Sequence, residues 1–221
     1  MIYLPVSALL FLILLLSLPF LILALTFDVV TVSAAKLGFT PSIALLLLSL
    51  IFIGGTLNIP LYRTETIVED PAIKRFHNFW GQQYWGFPIH HIRQTSIIAL
   101  NIGGGLIPVL LALYQFTQAP FLPIIAVTAL VTTVSYYASQ IVPGIGIQIN
   151  PLLPPITAAV TASLLVPHAA PVAFAGGVLG TLIGADLLHL PELNSPGVMS
   201  IGGAGVFDGI ALCGLFSLLL S

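Results

Sequence analysis

The stretch from Tyr3 to Thr26 contains no Asp, Glu, Lys or Arg and is apolar almost throughout. A spanning helix needs about 20 such residues to cross roughly 30 Å of hydrocarbon, so this segment alone calls for nonpolar surroundings on every side. The rest of the chain makes the same demand. Only 5% of its 221 residues are charged, against roughly 25% in an ordinary soluble domain, which is too few to clothe a soluble fold. Disorder is excluded on the same ground, because disordered chains are polar and highly charged. Five basic and seven acidic residues leave no basic footprint for nucleic acid. The single cysteine, Cys213, excludes an internal disulfide or a cysteine-based zinc site. The expected fold is an all-α polytopic transmembrane helix bundle, a single integral membrane domain over 1–221.

The first run has no basic segment before it and is too long for a secretory signal. Further apolar segments cover Pro41 to Leu57, Gln94 to Gln118, Phe121 to Val142, Pro151 to Val166, Pro171 to Leu190 and Val198 to Leu220. These predict six to seven spans, the fifth being short enough for a re-entrant segment. Gly103-Gly104-Gly105 with Pro108, and the prolines at 143, 151, 154 and 155, predict broken or re-entrant backbone near 103–108 and 143–155. Such interruptions expose backbone groups able to bind ions or substrate at membrane depth.

Charge is concentrated between 61 and 93, where Arg63, Glu65, Glu69, Asp70, Lys74, Arg75 and Arg93 lie. Phe76, Phe79, Trp80, Tyr84, Trp85 and Phe87 accompany them, and aromatics beside basic residues suit the headgroup layer. The polar stretch 58–93 is therefore expected to be an interfacial loop, with part of 70–88 forming a helix or hairpin on the membrane. Four of the five Lys and Arg residues fall within it, so the positive-inside rule puts this loop and the N-terminus in the cytoplasm. Seven spans then leave the C-terminus outside. Residues 95–221, rich in Gly and Pro, form the functional part of the bundle.

Asp186 and Asp208 each lie in an otherwise apolar segment, in Gly184-Ala185-Asp186-Leu187-Leu188-His189 and Gly205-Val206-Phe207-Asp208-Gly209. A charged Asp at the centre of a membrane helix costs about 2.5–3.5 kcal/mol, so such residues face a cavity or a partner. Two carboxylates that approach closely share one proton, the arrangement an acid–base pair needs to activate water. On a regular helix from Val198, Asp208 would lie about 15 Å beyond the start. The two carboxylates reach one depth only if the helix begins within Gly202-Gly203-Ala204-Gly205, a break that glycine permits. Gly176, Gly180 and Gly184 recur every four residues, a stripe that lets helix backbones touch, and Asp186 falls roughly opposite it. Asn101, Asn150 and His189 are candidate substrate-binding or ion-binding residues. No His pattern matches a metalloprotease, so neither a metal nor another cofactor is expected.

Asn101-Ile102-Gly103-Gly104, Ile149-Asn150-Pro151-Leu152, the Asp186 segment and Ile201-Gly202-Gly203-Ala204-Gly205-Val206-Phe207-Asp208 together resemble an uncharacterised prokaryotic family of multi-pass membrane proteins, a domain of unknown function, over roughly 95–221. That resemblance implies the plasma (inner) membrane of a prokaryotic cell. The Asp motifs also bear a weaker likeness to intramembrane aspartyl proteases of the presenilin and prepilin-peptidase type, with Ala185 in place of the glycine adjoining Asp. Three functions follow. The first is an aspartyl-type intramembrane hydrolase using Asp186 and Asp208 on a membrane-protein substrate. The second is a proton- or cation-coupled transporter or channel for a small solute that adds Asn101 and Asn150. The third is a non-catalytic structural or assembly subunit, within an oligomer or larger complex. Membrane lipids are the surroundings in all three.

Overall fold

A computed structural model describes residues 6–69, 91–142, 146–192, 197–203, 214–215 and 218–220. The architecture is a helix bundle. Helix α1 covers Val6–Lys36 and α2 Pro41–Gly54, while α3 covers Ile107–Gln115 and α4 Phe121–Ala138. Helix α5 covers Leu153–Leu165 and α6 Ala169–Thr181, and the chain is helical again at 214–215 and 218–220. Three described helices are long and apolar enough to cross a membrane: Phe11–Lys36, Phe121–Ala138 and Ala169–Pro191. Three shorter apolar helices accompany them, Pro41–Gly54, Ile102–Gln115 and Leu153–Leu165. The chain thus has the helices of a membrane protein.

Small residues set the packing. Helices α4 and α6 lie parallel, since Gly176 meets Val127, Gly180 meets Val131, and Gly184 meets Thr132 and Ser135. A Cβ on Gly180 would sit 2.6 Å from the Val131 Cβ, so only glycine allows this approach, as the four-residue stripe predicts. All but two residues of α6 are buried. Its Val172, Phe174 and Val178 pack in one core with Ile124, Val127 and Val131 of α4, Ala158 and Ala162 of α5, and Ala112 of α3. Helix α1 differs: its apolar flanks are exposed along the span, and among its described side chains the buried ones are Ser33 and Ala34, with Leu37 just beyond its end. Gly38 ends it at φ 83°, with the Phe39 amide donating to the Ala34 carbonyl, the left-handed stop that glycine supplies without strain.

One end of the bundle carries β structure absent from the expected fold. Strand β1, Asn58–Glu69, pairs antiparallel with β2, His91–Asn101, and β5, Gly197–Ile201, adds parallel to the other side of β2. A small hairpin, β3 at Gln140–Val142 with β4 at Gly146–Gln148, lies between α4 and α5. Several span assignments change as a result. Gln94 to Gln118 is not one helix: it is strand up to Asn101, then helix from Ile102. The β-branched Thr95, Ile97 and Ile98 suit a strand, which a hydropathy window reads no differently from a span. Both ends of the expected 58–93 loop are strand, and the interfacial element expected within 70–88 lies outside the described residues. Pro60 stands beside a register shift on the outer strand β1, where a missing N–H is tolerated. The seventh expected segment opens as strand β5 rather than helix.

Candidate functional site

The irregular backbone of the bundle converges at the sheet end. The first turn of the third helical segment, Ile102–Leu106, is π-wound before α3 begins. A Cβ on Gly103 would overlap the Ile51 carbonyl oxygen and the Gly55 nitrogen, and lie 2.8 Å from the Gly54 carbonyl carbon. The end of α2 therefore rests on this turn backbone to backbone. From the other side comes the turn after β5, with Gly202 at φ 81° and Gly203 at φ 68°. A Cβ on Gly202 would lie 2.5 Å from both Cα and N of Gly105. Three chain segments thus meet at glycines, where no side chain could be admitted.

Asn101 holds the junction together. It is 0% exposed, and its side-chain oxygen accepts the Gly104 N–H at 2.7 Å, capping the π turn. Its amide nitrogen donates to the Gly55 carbonyl at 2.8 Å and to Asn58 Oδ1 at 3.1 Å. Ser200 Oγ donates to the same Asn58 oxygen at 2.6 Å. One asparagine pair therefore ties α2, β1, β2, the π turn and β5 together. Asn58 and Ser200 are part of this site and were not anticipated. Their signal was faint: an Asn just beyond Gly54-Gly55, and a Ser two residues before Gly202.

Asp186 borders the junction. It ends a second π-wound segment, Leu182–Asp186, that continues α6, and a 3-10 stretch, Leu187–Glu192, follows. The residue is half-buried, and its Oδ2 accepts the Gly202 N–H at 3.4 Å. Asp186 thus stands at the turn that opens the last apolar segment. The chain turns at Gly202-Gly203; the helix start within 202–205 that a common depth for the two carboxylates requires, and Asp208 itself, lie outside the described residues. Single π turns within α-helices are frequent at functional sites, and here both border one junction.

His189 is 6% exposed. Its Nδ1–H faces the carbonyls of Ala185 and Gly184 at 3.0 and 3.1 Å, and its ring stacks on Tyr136 of α4 at 4.8 Å. The imidazole thus fastens the end of α6 to α4 next to Asp186. Asn150 is exposed and accepts the Leu152 N–H at 3.0 Å, forming the turn that leads into α5, and it makes no bond to the Asn101 network among the described residues. No cluster of three His, Cys, Asp or Glu residues able to hold a metal occurs among the described residues.

Compared with known families, the chain matches the family described as "Protein of unknown function (DUF1614)" over residues 52–220. The match starts within α2 and so takes in β1, Asn58 and the whole junction, and it leaves α1 outside. No curated protein and no solved structure matches.

Proposed function

The chain belongs to the DUF1614 family, and we propose that the glycine junction is the working centre of an aspartyl-type intramembrane hydrolase. In this reading Asp186 and Asp208 hold one proton between them. The ionised carboxylate takes a proton from water as the water oxygen attacks the carbonyl carbon of a peptide bond. The protonated one donates to the carbonyl oxygen, and the C–N bond then breaks with a proton delivered to the amine.

The observation that carries this reading is the contact between Asp186 Oδ2 and the Gly202 N–H. Because β5 ends at Ile201 and the turn falls at Gly202-Gly203, a helix started after Gly203 rises only about 8 Å to Asp208. That is half the depth a helix from Val198 would impose, which supports pairing. Strand β5 is also an outer strand of the described sheet, so an extended peptide paired along it would run past Asp186, its main chain held by strand hydrogen bonds. Helix α4, at 18 residues, rises about 27 Å, close to the hydrocarbon thickness. In this reading α4 spans, and the sheet end lies at one membrane boundary, within reach of water. With Arg63 and Arg93 on the strands and Lys74 and Arg75 between them in sequence, the positive-inside rule makes that boundary cytoplasmic in a prokaryotic plasma membrane.

Transport draws less support. Asn101 spends both amide hydrogens within the junction, and Asn150 spends its oxygen on an exposed turn. The test compares membranes containing wild-type protein, Asp186→Asn or Asp208→Asn, with new N-termini of membrane proteins mapped by mass spectrometry. Hydrolysis predicts cleavages present in wild type and reduced about a hundredfold or more in both variants. Identical cleavage patterns in all three would refute it.

A further inference from the structure

Two hollows share Leu37 in their linings: the first reaches from Leu37 toward Ile51 and Pro108, and the second lies at the end of the bundle opposite the sheet. The first is an apolar cavity of about 150 Å³ among the end of α1, α2, α3 and α6, with Ala44, Leu48, Pro108 and Phe174 in its wall. An apolar hollow of this size accepts a compact hydrocarbon segment. Its one hydroxyl is that of Ser33, which is 4% exposed and has no hydrogen-bond partner among the described residues. A buried hydroxyl left unmet costs about 1–3 kcal/mol, so a ligand bearing an acceptor fits better here than hydrocarbon alone.

The second hollow, about 500 Å³, has a mixed lining that includes Lys36, Gln118, His168 and the first residues of α6. Lys36 Nζ donates one hydrogen to the Leu218 carbonyl at 2.7 Å and has two more to give. His168 provides no side-chain cap to α6, and Ala169 and Ala170 line the same hollow, at the positive end of the helix dipole. Lys36 and Gln118, the latter just before α4, border the same hollow, where headgroups would lie in a membrane spanned by α4. Ser33 is three residues deeper, about 4.5 Å along the helix, at the depth of a glycerol ester.

We propose that these two hollows form one site for a glycerophospholipid in the leaflet opposite the sheet. An acyl segment fills the apolar cavity, an ester carbonyl accepts from Ser33 Oγ, and the phosphate lies against Lys36, His168 and the α6 amides. Three separate features (cavity, orphan hydroxyl and cationic groove) fall in the order that such a lipid presents its parts. The site is independent of the aspartate chemistry.

The test uses full-length protein in detergent, stripped of lipid and titrated with dioleoyl-phosphatidylglycerol by native mass spectrometry. One dominant adduct is expected. Lys36→Gln should weaken it about tenfold and Ser33→Ala about threefold, with Ala44→Phe, which fills the cavity, abolishing it. Dioleoylglycerol, lacking the phosphate, should bind the wild type about as weakly as the phospholipid binds Lys36→Gln, and inorganic phosphate should not displace the phospholipid. Unchanged affinity in Lys36→Gln and Ser33→Ala, or several equal adducts, would overturn the proposal. Displacement by inorganic phosphate would also overturn it, by assigning the groove to free anions. Thermal unfolding in the same detergent identifies any variant that fails to fold, and the two polar variants leave the cavity wall intact.

Discussion

Gly202→Ala probes the junction through two separable costs. At φ 81° an alanine pays for left-handed backbone, about 1–2 kcal/mol. Its Cβ would also lie 2.5 Å from Cα and N of Gly105, backbone atoms that cannot rotate away, and such overpacking costs about 1–3 kcal/mol more. Gly38 supplies the control: its φ is 83°, but a Cβ there meets nothing within 4 Å. Gly38→Ala should therefore lose only the backbone term. Reversible unfolding in mixed micelles of mild detergent and dodecyl sulfate, followed by far-ultraviolet circular dichroism, gives both losses on one scale. Gly202→Ala should exceed Gly38→Ala by about 1–3 kcal/mol. Equal losses would mean that the turn after β5 does not rest on the π turn at Gly105, and the reasoning that brings Asp186 to the start of the last segment would fail.

Asn101→Ala removes the acceptor for Gly104 N–H and the donor to Gly55 O and Asn58, leaving the 0%-exposed site with unmet polar groups. It should cost about 2–4 kcal/mol in the same unfolding assay, and a loss below about 0.5 kcal/mol would contradict the network. Gln115→Leu should act in the opposite direction. The Gln115 amide is 0% exposed and neither of its atoms has a partner among the described residues, so a leucine of similar volume should raise stability by about 1–2 kcal/mol. A decrease would show that the amide is satisfied in the membrane.

The bundle was legible because its cause is local and repetitive. Apolar runs between turn residues mark helices, and the Gly176, Gly180, Gly184 spacing marks the face of α6 that meets α4. The sheet was not legible for an equally physical reason. Ile97 to Leu100 runs on into the apolar segment after Asn101, and only the β-branched residues and the glycines after Asn101 hinted at strand. Pairing between residues 58–69 and 91–101, and of 96–100 with 197–201, is a long-range choice that no window of sequence contains. Asp186 could be singled out because a charge in apolar surroundings is costly. Its partner at Gly202 could be anticipated only as a permitted break, since glycine allows a positive φ without requiring one. Asn101 was recognisable as a polar residue at an interruption, but its three bonds depend on α2 and β1 arriving beside it.

If Asp186 and Asp208 form one centre, cross-linking detects it without knowledge of a substrate. Cys213 is the only cysteine, so Asp186→Cys and Asp208→Cys can be combined in a Cys213→Ser chain with no background thiol. Asn58→Cys with Ser200→Cys, whose native side chains meet at 2.6 Å, serves as the positive control. In native membranes a short bis-thiosulfonate reagent should join positions 186 and 208 as readily as the control pair, giving an internally linked chain of altered electrophoretic mobility. Efficient linking of the control pair with none between 186 and 208 would contradict the account.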